Sequence, residues 1–271
     1  MIAVENLSHH YGGQPTLLDL GFRLAPGEKA VILGANGCGK STLLKILDGL
    51  IAPGAGRYLY DGEAITPLRL KAGGLRRRFR QEVGLLFQNP DVMLFNPTVA
   101  DEIAFGPRQL GLADVDDRVA HWAGKTGVTH LLPRAPFSLS GGEKQKTALA
   151  ALLAVEPKLL LLDEPTAALD PRSTGWLVDF LAGLKQTVLC STHNLSLAPE
   201  LAPRALVLGE DHRLLYDGPI ERFLMDETAL VQANLAHIHS HRHTYFRAPA
   251  HHHHPLKKGV VEHRHFHTHD W

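Results

Sequence analysis

The residues best suited to chemistry form a glycine-rich segment that ends in a lysine and a serine. Residues 34–41 read GANGCGKS and match the phosphate-binding pattern GxxxxGK[S/T] without a mismatch. Glycines let consecutive backbone N–H groups turn towards a triphosphate at the positive end of the following helix. In this phosphate loop (residues 34–41), Lys40 is placed to reach the β- and γ-phosphates and Ser41 to ligate Mg²⁺. The expected nucleotide-binding residues here are Asn36, Gly37, Cys38, Gly39, Lys40, Ser41 and Thr42.

A pair of acidic residues forms a second candidate site. Four consecutive leucines, residues 159–162, are typical of a buried parallel strand, and Asp163 and Glu164 follow them directly. Ligands of open α/β sheets bind at the carboxyl ends of strands. Asp163 is therefore expected to hold Mg²⁺ through water, and Glu164 to polarise the water that attacks the γ-phosphate. The competing interpretation of such an acid is a helix N-cap.

A second anion site is predicted far from the first. The LSGGE segment (residues 139–143) precedes a helical run that extends to Val155. Ser140, Gly141 and Gly142 can present a hydroxyl and backbone N–H groups at a helix N-terminus. One nucleotide does not need two such sites from one subunit, so this segment is expected to cap the nucleotide held by another subunit.

The elements that must position these motifs indicate an α/β fold. The apolar run 30–33 leads into the phosphate loop and the helical pattern 42–47 leaves it. Residues 83–87 and 187–192 read as further strands, while residues 57–65 read as a hairpin about Asp-Gly. The stretch from about 91 to 155 is helical, which predicts a helical lobe inserted into the α/β core.

Taken together, the order and spacing of the motifs resemble an ABC-type nucleotide-binding domain over roughly residues 1–220. The resemblance rests on the phosphate loop, Gln88, the LSGGE segment, residues 159–164, Ala168-Leu169-Asp170 and His193. It implies a P-loop NTPase core with N-terminal antiparallel strands and an inserted α-helical subdomain, about residues 90–155. It also implies a head-to-tail dimer with two ATP molecules and Mg²⁺ between the subunits. Beyond this domain we expect a short helical segment, 221–236, and a flexible His-rich tail, 237–271.

The same resemblance assigns roles to individual residues. It implies that Tyr11 stacks on adenine, that Gln88 senses Mg²⁺ and couples to a membrane partner, and that Asp170 crosses the dimer interface. His193 then contacts the γ-phosphate. The implied catalytic residues are Glu164, His193 and Gln88, and the implied Mg²⁺ residues are Ser41, Gln88 and Asp163. Simpler interpretations are a packed aromatic for Tyr11 and a strand-end histidine for His193.

A closer resemblance follows Gln88. Residues 87–99, FQNPDVMLFNPTV, and 101–107, DEIAFGP, are similar to the ATPases of energy-coupling-factor importers. These importers take up vitamins, cobalt or nickel, so the implied partners are a transmembrane coupling component, a substrate-capture membrane subunit and an identical or paralogous ATPase. Short helices interrupted by prolines, with apolar Leu94, Phe95 and Phe105 between them, can form a docking groove. They can equally be the core of the helical lobe.

Composition excludes several classes of protein. The 28 basic and 28 acidic side chains cancel, which argues against nucleic acid as a partner. No apolar run approaches the roughly 18 residues of a membrane span, and the start MIAVEN lacks the features of a signal peptide. Two cysteines give no disulfide framework, although Cys38 at a helix N-terminus suggests a reactive thiol. These observations predict a bacterial protein that works through partners at the cytoplasmic face of the membrane.

Histidines dominate the end of the chain. Twelve of the 18 histidines are His237, His239, His241, His243, His251, His252, His253, His254, His263, His265, His267 and His269. Imidazole suits Zn²⁺, Cu²⁺, Ni²⁺ and Co²⁺, so the tail is predicted to bind transition-metal ions such as Co²⁺ or Ni²⁺. A purification tag explains the run 251–254 but not the histidines on both sides of it.

The expected function is an ATP-hydrolysing motor of a cobalt or nickel importer, with the choice of metal open. A vitamin-specific energy-coupling-factor ATPase is one alternative, and a metal chaperone or storage protein with a regulatory ATPase is another. A soluble ABC ATPase acting on DNA or ribosomes is a third, but about a hundred residues separate the phosphate loop from the LSGGE segment and show no heptads.

Overall fold

A computed structural model describes residues 1–71, 73–167, 169–247 and 257–268, with side chains up to residue 236. The strands are β1 (Ile2–Tyr11), β2 (Gln14–Leu24), β3 (Lys29–Leu33), β4 (Ala55–Tyr60), β5 (Glu63–Ala64), β6 (Val83–Leu86), β7 (Leu159–Leu162), β8 (Thr187–Ser191), β9 (Arg204–Leu208), β10 (Leu214–Pro219), β11 (Ala236–Arg247) and β12 (Lys257–Thr268). The α-helices are α1 (Lys40–Leu47), α2 (Gly73–Glu82), α3 (Val99–Gln109), α4 (Val115–Thr126), α5 (Gly141–Leu153), α6 (Pro171–Ala182), α7 (Ala198–Leu201), α8 (Ile220–Leu224) and α9 (Glu227–Gln232).

The central sheet has six strands in the order β10-β9-β3-β8-β7-β6. All neighbours in it are parallel except β9 and β10, which pair antiparallel. Its middle strands are buried on both faces, which explains the unbroken leucine run of β7. Because the strands are parallel, β3, β7 and β8 all end at the same edge. The phosphate loop and the acid pair therefore meet there, as the sequence predicts.

Each face of this sheet has its own hydrophobic core. Val31 and Leu33 of β3 pack in one core with the helical lobe, while Ala30 and Ile32 pack in the other with α1 and the N-terminal strands. The alternation follows from the period of two residues in a strand. One β-strand thus fixes the start of the phosphate loop between two packed layers.

The second sheet is antiparallel, with four strands in the order β2-β1-β4-β5. The predicted hairpin is present, since β4 and β5 pair across a turn at Asp61 and Gly62, both with positive φ. Two positive φ values are what a type I′ hairpin turn requires. The predicted combination of an α/β core with N-terminal antiparallel strands is confirmed.

The long segment between β6 and β7 is helical. Helices α3, α4 and α5 lie there and pack on one another through Ile103, Trp122 and Leu149. They fall inside the stretch, about 90–155, for which the sequence predicts an inserted helical subdomain. Within the described ranges, no helix combines the length and the hydropathy that a membrane span needs.

The chain ends in a separate two-stranded sheet. Helices α8 and α9 follow β10, and β11 then pairs with β12 in antiparallel register. Residues 248–256 and 269–271 lie outside the described residues, and with them His251, His252, His253, His254 and His269. Flexibility of the tail stays a prediction.

Candidate active site

The phosphate loop connects the end of β3 to the start of α1, and its shape depends on glycine. Gly34 has φ 148°, and a Cβ there would lie 2.6 Å from Cys38 Sγ and from the Leu208 carbonyl oxygen. Gly39 has φ 110°, and a Cβ there would lie 2.4 Å from the Thr16 carbonyl oxygen. Both positions exclude a side chain by conformation and by space. The loop can therefore wrap closely around a ligand at the N-terminus of α1.

Lys40 is the first residue of α1, and its ammonium group bends back over the loop. Its Nζ donates hydrogen bonds to the carbonyl oxygens of Gly34, at 2.7 Å, and Ala35, at 3.2 Å. The side chain is only 7% exposed and lies 3.8 Å from Glu164 Oε1. A buried cation next to the positive end of a helix makes this position strongly attractive to a phosphate group.

A hydroxyl pair holds the acid at the end of β7. Ser41 Oγ donates to Asp163 Oδ1 at 3.0 Å, and Ser191 Oγ donates to the same oxygen at 2.8 Å. Ser191 ends β8, the neighbouring strand, and its Oγ also accepts a hydrogen bond from the backbone N–H of Glu164 at 2.9 Å. Ser191 thus fixes both acids at once. Ser191 is not among the predicted site residues. In the sequence, its only indication of a role is its place at the end of a buried strand.

Glu164 adopts an uncommon backbone conformation for a residue with a side chain. Its φ is 45°, in the left-handed region, and the residue is buried. Such conformations concentrate at functional sites, where surrounding contacts maintain them. Its carboxylate lies between two nitrogen groups, 3.8 Å from Lys40 Nζ and 2.9 Å from His193 Nδ1. The carboxylate is therefore oriented rather than free to rotate.

These side chains face one open cavity of about 350 Å³. Its lining includes nine predicted site residues, namely Asn36, Gly37, Gly39, Lys40, Ser41, Thr42, Gln88, Glu164 and His193. Thr16 of β2 also lines it and was missed, since only the tertiary fold brings that strand to the loop. The cavity lies at the carboxyl edge of the sheet and combines the Lys40 ammonium with the backbone N–H groups of the phosphate loop, as expected of a nucleotide site.

Apart from the LSGGE segment, three predicted nucleotide or Mg²⁺ residues stand outside this lining. Asp163 lies just beneath, bonded to Ser41. Tyr11 is 49% exposed at the β1–β2 turn, with its ring edge-on to His9 at 4.7 Å between centroids. Cys38 is 2% exposed and packs into the core instead of pointing at the cavity. Burial raises the pKa of the Cys38 thiol, which disfavours the reactive thiolate that the sequence suggests.

The oxygen groups present fit a magnesium ion. Mg²⁺ takes oxygen ligands and keeps several waters, so it needs few protein groups. Ser41 Oγ and Asp163 Oδ1 lie 3.0 Å apart, and Gln88 lines the same cavity. These three side chains are the residues that would hold the ion against a bound triphosphate.

The LSGGE segment is held in place by its own hydrogen bonds. Among the residues that the structure describes, none of this segment lines the cavity. Ser140 caps α5 in a capping box, where Glu143 N–H donates to Ser140 Oγ and Ser140 N–H donates to the Glu143 carboxylate. Ser140 and Gly141 are exposed. The segment therefore presents a preformed helix N-terminus to the outside of the subunit.

Asp170 also lies on the surface, at the start of α6. Its carboxylate caps the helix by accepting from the backbone N–H groups of Arg172 and Ser173, and it accepts from Ser173 Oγ at 2.7 Å. These hydrogen bonds hold the pKa of Asp170 below its ordinary value. Ala168, part of the predicted 168–170 motif, lies outside the described residues.

Two contacts connect the helix of the LSGGE segment to the rest of the site. Gln145 is buried on α5 and donates to the carbonyl oxygen of Pro165, one residue after Glu164, at 3.0 Å. Lys144 pairs with Asp91 at 2.6 Å, three residues after Gln88. These contacts join α5 both to the acid loop and to the segment after Gln88.

An apolar surface patch follows Gln88. Val92 and Phe95 are each 66% exposed, and Phe95 stands edge-on to the partly exposed Phe105 with 4.9 Å between ring centroids. Leu94 is half-buried against the core of the lobe. The core interpretation thus applies to Leu94, whereas a docking groove at the exposed residues stays a prediction.

Residues 17–167 match the model of the family described as "ABC transporter". The chain belongs to this family, and its fold is that of an ABC ATPase. The energy-coupling factor transporter ATP-binding protein EcfA of Methanothermobacter thermautotrophicus is 38% identical over 82% of this chain and 72% of its own length. The nickel import ATP-binding protein LarO of Lactiplantibacillus plantarum is 37% identical over 87% of this chain and 99% of its own length.

Solved structures agree with the fold. CbiO1 of Clostridium perfringens, described as part of the ABC transporter complex CbiONQ, superposes with a TM-score of 0.73 at 31% identity, over 86% of this chain and 94% of that one. Other similar proteins name no substrate, including a provisionally named ABC transporter ATP-binding protein of Methanosarcina acetivorans that is 45% identical over 89% of this chain and 90% of its own length.

Proposed function

We propose that this protein is the ATP-hydrolysing motor subunit of an energy-coupling-factor importer for nickel or cobalt ions. The proposed motor function rests on one observation: the two anion-binding helix N-termini, at the phosphate loop and at the LSGGE segment, are separate. The cavity gathers the phosphate loop, Lys40, Glu164 and His193, whereas the LSGGE segment stands exposed and away from it. The proposal has three parts: ATP chemistry, dimer closure and coupling to membrane partners.

The geometry supports a division of labour at the ATP. Lys40 and the backbone N–H groups of the loop bind the β- and γ-phosphates, while Tyr11 stacks on adenine. Glu164 accepts the proton of the attacking water, and its contacts with Lys40 and His193 keep its carboxylate aimed at the γ-phosphate position. His193 contacts the γ-phosphate. Ser41, Asp163 and Gln88 would hold a magnesium ion, which would supply positive charge next to the phosphate oxygens.

Hydrolysis further requires the LSGGE segment of a second subunit. Ser140, Gly141 and Gly142 supply a hydroxyl and N–H groups to the γ-phosphate across the interface, where Asp170 also lies. The capping box supports this role because it fixes the helix N-terminus before any ligand arrives. The second subunit is an identical chain or a paralogous ATPase.

Closure of this dimer is passed to the membrane through the lobe. The Lys144–Asp91 and Gln145–Pro165 contacts connect α5 to both the acid loop and the segment after Gln88. The apolar patch of Val92, Phe95 and Phe105 supports docking of a transmembrane coupling component, which in turn serves a substrate-capture subunit. The protein would then sit peripherally on the cytoplasmic face.

The metal cargo is supported by one relative, because LarO is named for nickel import. The histidine-rich tail agrees with a metal rather than a vitamin. Nickel and cobalt remain equal candidates. Almost any nitrogen site binds Ni²⁺ more tightly than Co²⁺, so this order of affinity does not identify the cargo.

Uptake measurement tests the proposal. Cells that express the chain with its membrane partners are loaded with radioactive Ni²⁺ or Co²⁺, alongside cells that carry the Glu164→Gln variant. We expect uptake of one of the metals in the first cells and background uptake in the second. Uptake of a vitamin in place of both metals would overturn the proposal that the cargo is a metal ion. Equal metal uptake in the variant cells would overturn the proposal that this subunit is the motor.

A further inference from the structure

Phe137 has the most exposed large apolar side chain in the part of the chain whose side chains are described, at 86%. A single exposed apolar residue is common on protein surfaces and needs no special explanation. Phe137 differs from such a residue in its position, because only Ser138 and Leu139 separate it from Ser140, the first exposed residue of the LSGGE segment. The aromatic ring and the proposed phosphate donors therefore belong to neighbouring stretches of the surface.

The backbone around Phe137 is fixed by local contacts. The short 3-10 helix Pro136–Ser138 contains it. The Arg134 guanidinium donates to the carbonyl oxygen of Ser138 at 2.9 Å and to its Oγ at 3.2 Å. The first residue of this helix is buried, and so is Leu139 just after it, whereas the two residues between them are exposed. The turn therefore holds Phe137 at the outside of the subunit.

The nucleotide cavity has no large aromatic side chain of its own. Among the described residues that line it, none is a phenylalanine, a tyrosine or a tryptophan. Tyr11 at the β1–β2 turn, which is 49% exposed, is the residue proposed to stack on adenine. One ring covers one face of a base, so the opposite face is available to a second aromatic group.

The chain between Phe137 and Ser140 has a length that suits contact with the base. Three residues separate the two Cα atoms by at most about 11 Å, and a 3-10 turn shortens this span. In ATP, two phosphates and a ribose lie between the γ-phosphate and the base. A phenylalanine ring offers no hydrogen-bond donor to a phosphate, but it stacks on a base because every base has a π-face. With Ser140 at the γ-phosphate, the ring can therefore reach the far end of the same nucleotide.

We propose that Phe137 of one subunit stacks on the adenine of the ATP held by the phosphate loop of its partner, on the face opposite Tyr11. This contact needs the shared-site dimer of the proposed function. It forms only when the dimer closes, so it links closure to the presence of the base. Since stacking acts on the bound substrate and the transition state alike, it contributes to the affinity for ATP and not to the rate at saturation.

Steady-state phosphate release by the purified full-length protein, measured against ATP concentration, tests the proposal. Phe137→Ala should raise KM by roughly 5- to 150-fold, which is the range of one base–aromatic stack, and kcat should stay close to that of the unchanged protein. Phe137→Trp should keep the low KM because it keeps an aromatic face. Met225→Ala, which removes a side chain that is 84% exposed, is the control and should leave KM unchanged.

Two results of this assay would overturn the proposal. One is an unchanged KM in Phe137→Ala, with or without an effect on uptake in cells, which would assign the ring to another partner. The other is a fall in kcat alone, which would mean that Phe137 only supports the backbone of Ser140. Thermal unfolding of each variant checks that the loss of an exposed side chain leaves the protein folded.

Mixing with Lys40→Ala shows which subunit provides the ring. A dimer of one Phe137→Ala subunit and one Lys40→Ala subunit contains one site in which an unchanged phosphate loop faces an unchanged Phe137. The mixture should therefore show turnover with the KM of the unchanged protein, which neither variant has alone. In a parallel mixture, Ser140→Ala replaces Phe137→Ala and tests the shared site itself.

The two mixtures separate failure of this contact from failure of the proposed function. Recovery with Ser140→Ala, but no turnover of low KM with Phe137→Ala, would overturn the stacking of Phe137 across the interface and leave the shared site in place. No recovery in either mixture would contradict the shared site, and the stacking contact with it.

Discussion

The phosphate loop and the LSGGE segment both end in a helix N-terminus, but their surroundings differ. At the first, the buried Lys40, Glu164 and His193 line one cavity, and Asp163 lies just beneath it. At the second, the helix is capped by its own Ser140 and Glu143, and the neighbouring backbone is exposed. Under the proposed function, the first region supplies the catalytic groups and the second supplies hydrogen-bond donors across a dimer interface, so turnover depends on both regions.

The largest effect is expected from Glu164→Gln. The variant keeps the shape and the contact with His193 but cannot accept a proton, so ATP turnover should fall by roughly 10²- to 10⁴-fold. Binding of ATP should persist, because Lys40 and the loop are unchanged. Phosphate release and binding of a fluorescent nucleotide are the two measurements. Near-normal turnover would show that Glu164 is not the base.

Lys40→Ala is expected to act on binding itself. The ammonium is buried and held by the loop carbonyls, so its loss removes a desolvated charge partner of the phosphates. Such truncations cost about 2–5 kcal/mol, which corresponds to roughly 30- to several-thousand-fold weaker nucleotide binding.

A matched control for this variant is Lys45→Ala. Lys45 belongs to the same helix but is not among the residues that line the cavity in the described chain. Its removal should leave the fluorescent-nucleotide titration unchanged. Equal losses in both variants would point to the helix and not to the Lys40 ammonium.

Ser140→Ala tests the region that supplies donors only. One lost hydrogen bond to a charged phosphate costs about 1.5–3 kcal/mol, so turnover should fall by roughly 10- to 150-fold. Nucleotide binding to the isolated subunit should not change, since Ser140 does not line its cavity. Some stability is also lost with the helix cap, about 0.5–2 kcal/mol, and this is checked by thermal unfolding.

Mixing two impaired variants separates the shared-site arrangement from a monomeric enzyme. A dimer of one Glu164→Gln subunit and one Ser140→Ala subunit contains one site in which the unchanged Glu164 faces the unchanged Ser140. The mixture should therefore recover turnover that neither variant has alone. No recovery across a range of mixing ratios would mean that each subunit completes its own site.

The sequence predicts the catalytic region well because its signals are local. Four leucines followed by two acids are typical of a buried strand that ends at the ligand edge of the sheet. The residues that it leaves out reach the site from elsewhere. Thr16 comes from β2, and Ser191 comes from a strand that is adjacent in space to β7 but 28 residues after Asp163. The burial of the Cys38 side chain could not be predicted either, because the conformation of the phosphate loop decides which of its side chains face the core.

Ser191→Ala measures the worth of such a non-local residue. Ser191 binds both the Asp163 carboxylate and the backbone N–H of Glu164. Because Ser41 still holds Asp163 when Ser191 is removed, the effect on turnover should be close to the roughly 0.5–1.5 kcal/mol of one neutral hydrogen bond. We expect turnover to fall by roughly 5- to 10-fold with little change in nucleotide affinity. Ser196→Ala, an exposed serine near the same strand end, is the control and should be neutral. An unchanged rate in Ser191→Ala would show that Ser41 alone fixes Asp163.

The smallest effect is expected at the sulfur of the phosphate loop. Burial raises the pKa of both the Cys38 and the Cys190 thiols, so less thiolate is present at a given pH than at an exposed cysteine. Alkylation of the native protein at pH 8 should be slower than that of an exposed cysteine, whose pKa is about 8.5, and should rise only at higher pH than it does for an exposed cysteine. Saturation with ATP should change this rate little, because Cys38 already faces the core. Unfolded protein should label rapidly at pH 8, and fast, ATP-sensitive labelling of native protein would show that the loop opens enough to expose its own interior.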